Sequence, residues 1–124
     1  MKLIDSNILI YSSEPENHFL RDYVSEPDNG VSRFTELEVL GYHSLSPKDE
    51  QYFLAAFRAL KIYPVDQAVV QKAISLPQRQ SMSAGDSIIA ATALLYQLEL
   101  VTRNEADFKW IPELRIENPF SLLG

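Results

Sequence analysis

Apolar residues arrive in short runs separated by polar clusters, and the runs alternate between two periods. Lys2-Leu3-Ile4, Val31 to Phe34, Ile62-Tyr63-Pro64-Val65, Glu99 to Thr102 and Arg115-Ile116-Glu117 have the length of strands. Between them lie stretches with helical spacing. Phe19, Leu20, Tyr23 and Val24 mark a face in a helix over 13–24, with Ser13 and Glu16 at capping-box spacing. Thr35 and Glu38 repeat that spacing at the head of a helix through Leu37, Val39, Leu40 and Tyr42. Ser46-Pro47-Lys48-Asp49 opens the next, with Phe53, Leu54, Phe57 and Leu60 on its apolar face. Asp66 caps a helix with Val69, Val70, Ala73 and Ile74 inward, and Pro77 stops it. Strands alternating with helices imply an α/β fold with a mainly parallel sheet. Pro64 assigns its strand to an edge.

The stretch 83–92 is unlike the others. Ser83 and Asp86 have capping-box spacing, and Ile88, Ile89, Ala90, Ala91, Ala93, Leu94 and Leu95 then follow without a charge. A helix of apolar and small residues is one buried against a sheet. Asp86, in its first turn, is either a cap or a ligand at the sheet rim. Asp5, Glu38 and Asp107 pose the same choice. Each follows a strand or opens a helix, and each is a fair capping residue. Right-handed crossovers bring such positions to one edge of the sheet, where ligands bind. Carboxylates crowded there repel one another unless cations neutralise them. Ligands that are all oxygen favour hard ions, Mg²⁺ or Mn²⁺, and two ions roughly 3.5–4 Å apart suit phosphodiester hydrolysis.

Composition narrows the picture. A chain of 124 residues, 46% hydrophobic and 10% aromatic, suits a single globular domain over 1–124. No cysteine is present, which excludes disulfides and thiolate metal sites. No apolar run reaches membrane-spanning length, and Met1 leads straight into a strand without a signal-peptide core. The expectation is a cytoplasmic protein with no membrane partner. A net charge of -6 argues against a broad nucleic-acid surface. It does not exclude a nuclease, since a cation-binding acid cluster is itself acidic. His18 and His43 read as structural, without ligand spacing to a second histidine. Arg79, in the polar connector 78–82, reads as a solvated loop residue, with contact to a substrate phosphate as the alternative.

Four stretches together resemble the motifs of PIN-domain ribonucleases: Leu3-Ile4-Asp5-Ser6-Asn7-Ile8-Leu9-Ile10, Thr35-Glu36-Leu37-Glu38, Gly85-Asp86-Ser87-Ile88-Ile89-Ala90-Ala91-Thr92-Ala93, and Leu100-Val101-Thr102-Arg103-Asn104 with Asp107-Phe108. The small size is similar to that of VapC-type toxins of toxin–antitoxin pairs. The resemblance implies a three-layer α/β/α fold and a Mg²⁺- or Mn²⁺-dependent endoribonuclease. By motif, Asp5, Glu38 and Asp86 match the core acids and metal ligands. Asn104 or Asp107 fills the fourth position. Ser6 and Asn7 orient Asp5 or water, and Thr102 supports the site from behind. The resemblance also implies an RNA substrate, a homodimer and a cognate antitoxin that covers the site. Phe53, Phe57 and Leu60 are the expected exposed apolar surface for such pairing. Two alternatives are an inactive PIN-like binding module and a receiver-type signalling domain. The second wants adjacent acids near the first strand and a late lysine, which Asp5-Ser6-Asn7 and Thr102-Arg103 do not supply.

Overall fold

The computed structural model describes residues 1–123. Five short strands, β1 (Lys2–Ile4), β2 (Gly30–Ser32), β3 (Lys61–Tyr63), β4 (Glu99–Val101) and β5 (Ile116–Glu117), form one sheet in the order β3-β2-β1-β4-β5. Every pairing is parallel. All carboxyl ends therefore lie on one edge, as the alternation of elements implies. The order differs from the 2-1-3-4-5 of receiver domains, which removes that alternative. β3 is an edge strand, as its proline indicates.

Helices cover both faces. Side chains on a strand alternate sides, and β1 divides the core in two. Leu3 faces a cluster with Val69 and Ala73 of α5 (Gln67–Ser75), Leu76 at its C-cap, and Ile89, Ala90 and Ala93 of α6 (Ala84–Tyr96). Ile4 faces the other way, toward Ile8 and Leu9 of α1 (Ser6–Ser12), Val24 of α2 (Arg21–Ser25), Val39 of α3 (Arg33–Leu40) and Phe53 and Phe57 of α4 (Pro47–Ala59). This is the three-layer α/β/α arrangement. A seventh helix, α7 (Glu105–Phe108), follows β4 and buries Phe108 fully. Across the amino edge, Lys2 pairs with its register partner Glu99 at 3.7 Å and with Glu117, which also accepts from the Tyr23 hydroxyl.

The capping signals of the later helices hold. The hydroxyls of Ser46 and Ser83 accept from the amides of Asp49 and Asp86, each at 3.1 Å, and the Asp66 carboxylate accepts from Val69 at 3.0 Å. Four expectations need correction. The segment 13–24 is not one helix. Ser13 ends α1, and Pro15–Leu20 is a 3-10 turn broken at Asn17 (φ -109°, ψ 31°), whose side-chain amide donates to the Tyr11 carbonyl. Thr35 does not start α3. Ser32 caps it, and Thr35 is buried in its first turn. Phe53, Phe57 and Leu60 are not exposed. At 3%, 8% and 5% accessibility they fill the core beneath β1 and β2. On α5, only Val69 and Ala73 point inward, while Val70 and Ile74 are 42% and 54% exposed. The apolar stripe of α5 is wider than the surface available to cover it.

Candidate active site

Asp5 stands at the end of β1, and its backbone amide extends the ladder to the Val101 carbonyl at 2.9 Å. Its side chain is only 6% exposed and is held from three directions. One carboxylate oxygen accepts from the Ser6 amide at 2.8 Å and so caps α1. The other accepts from the Thr102 hydroxyl at 2.8 Å and the Asn7 side-chain amide at 3.2 Å. Thr102, fully buried just past β4, also accepts from the Asn104 amide at 3.1 Å. The side-chain oxygen Oδ1 of Asn7 accepts from the Arg103 backbone amide at 3.3 Å. Asp5 is thus both a cap and the hub that ties the end of β1 to the loop after β4.

Glu38 is exposed on α3, and one of its oxygens accepts from the Ser6 hydroxyl at 2.6 Å. Ser6 also reaches Thr35 at 3.2 Å. Thr35 is a supporting residue that sequence reasoning took for a cap, although it sits in the same four-residue motif as Glu38. Glu36 turns away to pair with Arg33.

Asp86 is half-buried in the first turn of α6, which starts at the carboxyl edge because the helix runs back along the sheet. Gly85 beside it meets α3 at close range. A Cβ there would lie 2.9 Å from Phe34 Cε2, so the absent side chain lets the head of α6 approach the helix carrying Glu38. Asp86 and Asp107 line one cleft of about 310 Å³ with Ser83, Met82 and Trp110. Asn104 precedes α7 without a side-chain cap bond. Arg79 is held by Glu113 and lies over the Trp110 ring. A larger hollow of about 640 Å³, against Met1, Lys2 and Tyr23, lies at the amino edge and contains none of these acids. Ligands of open α/β sheets bind at the carboxyl edge, so chemistry rather than size identifies the site.

Burial pushes the Asp5 carboxyl up to about 6; its hydrogen bonds to Thr102 and Ser6 resist, and the charges of Asp86 and Glu38 add to the rise. Burial also raises Asp86; Ser83 opposes this, while Asp107 and Glu38 reinforce it. The acids therefore feel one another across the edge. Among the described residues none of Asp5, Glu38, Asp86 or Asp107 forms an ion pair with a basic side chain. Nor, among the described residues, is any group of three or more His, Asp or Glu side chains closed around a point that would hold an ion. The donor set is nonetheless all hard oxygen, negative and uncompensated, which fits a divalent cation such as Mg²⁺ or Mn²⁺.

The sequence model of the PIN domain matches residues 2–114. Among solved structures, a chain of the toxin–antitoxin complex from Klebsiella pneumoniae is 31% identical with a TM-score of 0.78, covering 96% of this chain and 98% of that one. VapBC from Salmonella typhimurium bound to DNA is 22% identical with a TM-score of 0.77, covering 94% and 98%. FitAcB from Neisseria gonorrhoeae is 24% identical with a TM-score of 0.73, covering 97% and 99%. The last two show likeness of fold alone. No curated protein sequence matches significantly.

Proposed function

Because the chain belongs to the PIN-domain family, we propose that it is a metal-dependent endoribonuclease and the toxin of a toxin–antitoxin pair. What supports this best is Asp5, a carboxylate raised chiefly by burial and further by its acidic neighbours, with no counter-charge among the described residues at the carboxyl edge. Asp5, Glu38 and Asp86 are the residues that would hold Mg²⁺ or Mn²⁺, with Asp107 in the fourth acidic position, since it shares the cleft of Asp86. A bound divalent cation supplies activation of water and stabilisation of the departing oxygen. The chain does the rest. Thr102, Asn7 and the Ser6 amide fix the Asp5 carboxylate and favour its charged form. Ser6 steers Glu38. Asp107 faces the cleft, where it can accept a proton from water.

The test is incubation of the purified chain with single-stranded RNA in Mg²⁺, in Mn²⁺ and in chelator. Cleavage with either ion, its loss in chelator and its suppression by a co-purified antitoxin are the expected results. RNA binding without cleavage would favour the inactive binding module instead. No effect on RNA at all would overturn the reading. Gly85→Ala is expected to cost about 1–3 kcal/mol, since the added methyl overpacks against the Phe34 ring, and to lower cleavage severalfold by pushing the head of α6, with Asp86, from the helix that carries Glu38. Unchanged kcat/KM in a folded variant would refute this positioning role.

The same reading includes a homodimer. Its surface is relocated from α4 to the outer side of α5 and the head of α6, where Val70, Ile74, Pro77, Met82 and Ile88 border an apolar hollow of about 350 Å³. Sedimentation is expected to show a dimer that Ile74→Glu converts to monomer. A monomeric parent would count against it.

A further inference from the structure

We propose that Arg103 is a substrate-binding residue that grips an RNA backbone phosphate beside the one that is cut, an inference that rests on the ribonuclease reading above. Its guanidinium carbon lies 4.0 Å from the centroid of the Phe120 ring and 4.9 Å from that of Tyr11. Phe120 is itself braced edge-on by Tyr11 and Phe19, at 5.5 and 5.3 Å between centroids. Stacking of this kind engages the faces of a guanidinium and leaves its edge free. Among the described residues that edge makes no ion pair, and the hydrogen bond of Arg103 to Asn7 uses the backbone amide. The free donors have the fork geometry that matches two oxygens of one phosphate.

The position is as telling as the geometry. Arg103 lies between Thr102, which binds Asp5, and Asn104. Its amide is joined to Asp5 through Asn7 alone. Tyr11, beneath the guanidinium, is one turn along α1 from Asn7 and on the same face. The cation thus stands over a ring one turn along α1 from a residue that binds the carboxylate hub, beside that hub rather than in it. A chain of net charge -6 with four acids on this edge repels a polyanion. Other arginines on this side are already engaged, Arg33 by Glu36 and Arg79 by Glu113. Holding the side chain flat on aromatic rings before substrate arrives lowers the entropy cost of binding. The C-terminal turn Pro119–Leu123, which carries Phe120, is in this way a support for the RNA site.

The test is steady-state cleavage of a mixed-sequence single-stranded RNA in Mg²⁺ by wild type, Arg103→Gln and Arg103→Lys across a salt titration. Arg103→Gln is expected to raise KM about tenfold or more, with the loss falling on KM rather than kcat. The salt dependence of log KM should become shallower by about 0.7, the loss of one phosphate contact on a single strand. Arg103→Lys should keep the salt slope while recovering only part of the affinity, because it retains the charge without the fork. Phe120→Leu should raise KM in the same direction by a smaller factor, which keeps the test alive if Arg103→Gln folds poorly. Wild-type KM and slope in the folded variants would overturn the proposal. So would a lower melting temperature alone, or weaker antitoxin binding with KM for RNA unchanged. A wild-type protein that cleaves no RNA would instead overturn the parent reading, and this one with it.

Discussion

Asp86→Asn is expected to reduce metal-dependent RNA cleavage by more than about a hundredfold while leaving the fold intact. Residues that only orient a metal's ligands commonly cost about 10–100-fold when removed, and a direct ligand costs more. The fold should survive because the cap on α6 does not depend on the carboxylate. Ser83 accepts from the backbone amide of residue 86, which asparagine retains. Losing a negative charge in the first turn costs about 0.3–1 kcal/mol, and relief of burial and of repulsion from Asp107 and Glu38 offsets part of it. Ser83→Ala is the matching control. It removes the cap at a cost of about 1 kcal/mol and leaves the carboxylate in place. If Asp86 serves only the helix, the two variants should behave alike, stable or not, with cleavage unaffected. If it holds an ion, activity and stability separate: Asp86→Asn stays folded and inactive, Ser83→Ala loses stability and cleaves. Full Mg²⁺-dependent activity in Asp86→Asn would end the ligand assignment.

That contrast reflects what could and could not be read along the chain. The parallel α/β class and the place of β3 at an edge follow from local signals: β-length apolar runs, the caps at Ser46, Asp66 and Ser83, and the proline beside β3, whereas the order of the strands lies in their pairing and in no local signal. Where the reading failed, a non-local partner decided. Thr35 looks like a cap until Ser6 is seen beside it. Phe53 and Phe57 look spare until β1 and β2 are seen to need covering. Val70 looks buried because periodicity places it in a stripe, but the sheet reaches only half of that stripe. No local signal marks the break at Asn17, since Pro15 suits the first turn of a helix as well as Pro47 does. Sequence spacing leaves cap and ligand as rivals for Asp5, and in the structure one oxygen closes α1 as a cap does while the other meets Thr102, a residue 97 positions away. No spacing rule contains that second contact.

The burial of Asp5 carries the other large expected effect, on stability against pH. Folded, the carboxyl titrates near about 6 against 3.8 for a free side chain. The folded state therefore binds the proton more tightly than the unfolded state does. Its contribution to stability is fully present below about 3.8 and is lost as pH rises through about 6. The interval corresponds to about 3 kcal/mol, so the metal-free protein should weaken between those values while ordinary paired carboxylates would strengthen it. Asp5→Asn should flatten this decline and match or exceed the parent near neutrality. The gain is smaller than the full interval, since the new amide would point a donor at the Asn7 amide. A divalent ion that binds only the folded, charged form acts in the opposite sense, stabilising by about 2.7 kcal/mol at a hundredfold excess over its Kd. Mn²⁺ should thus raise the melting temperature near neutral pH, do little near pH 4 where Asp5 is protonated, and do little in Asp5→Asn at any pH. Calorimetric scans of both proteins with and without Mn²⁺ read all of these at once. A parent whose stability holds level across that range and ignores the ion would mean that Asp5 is a cap and nothing more.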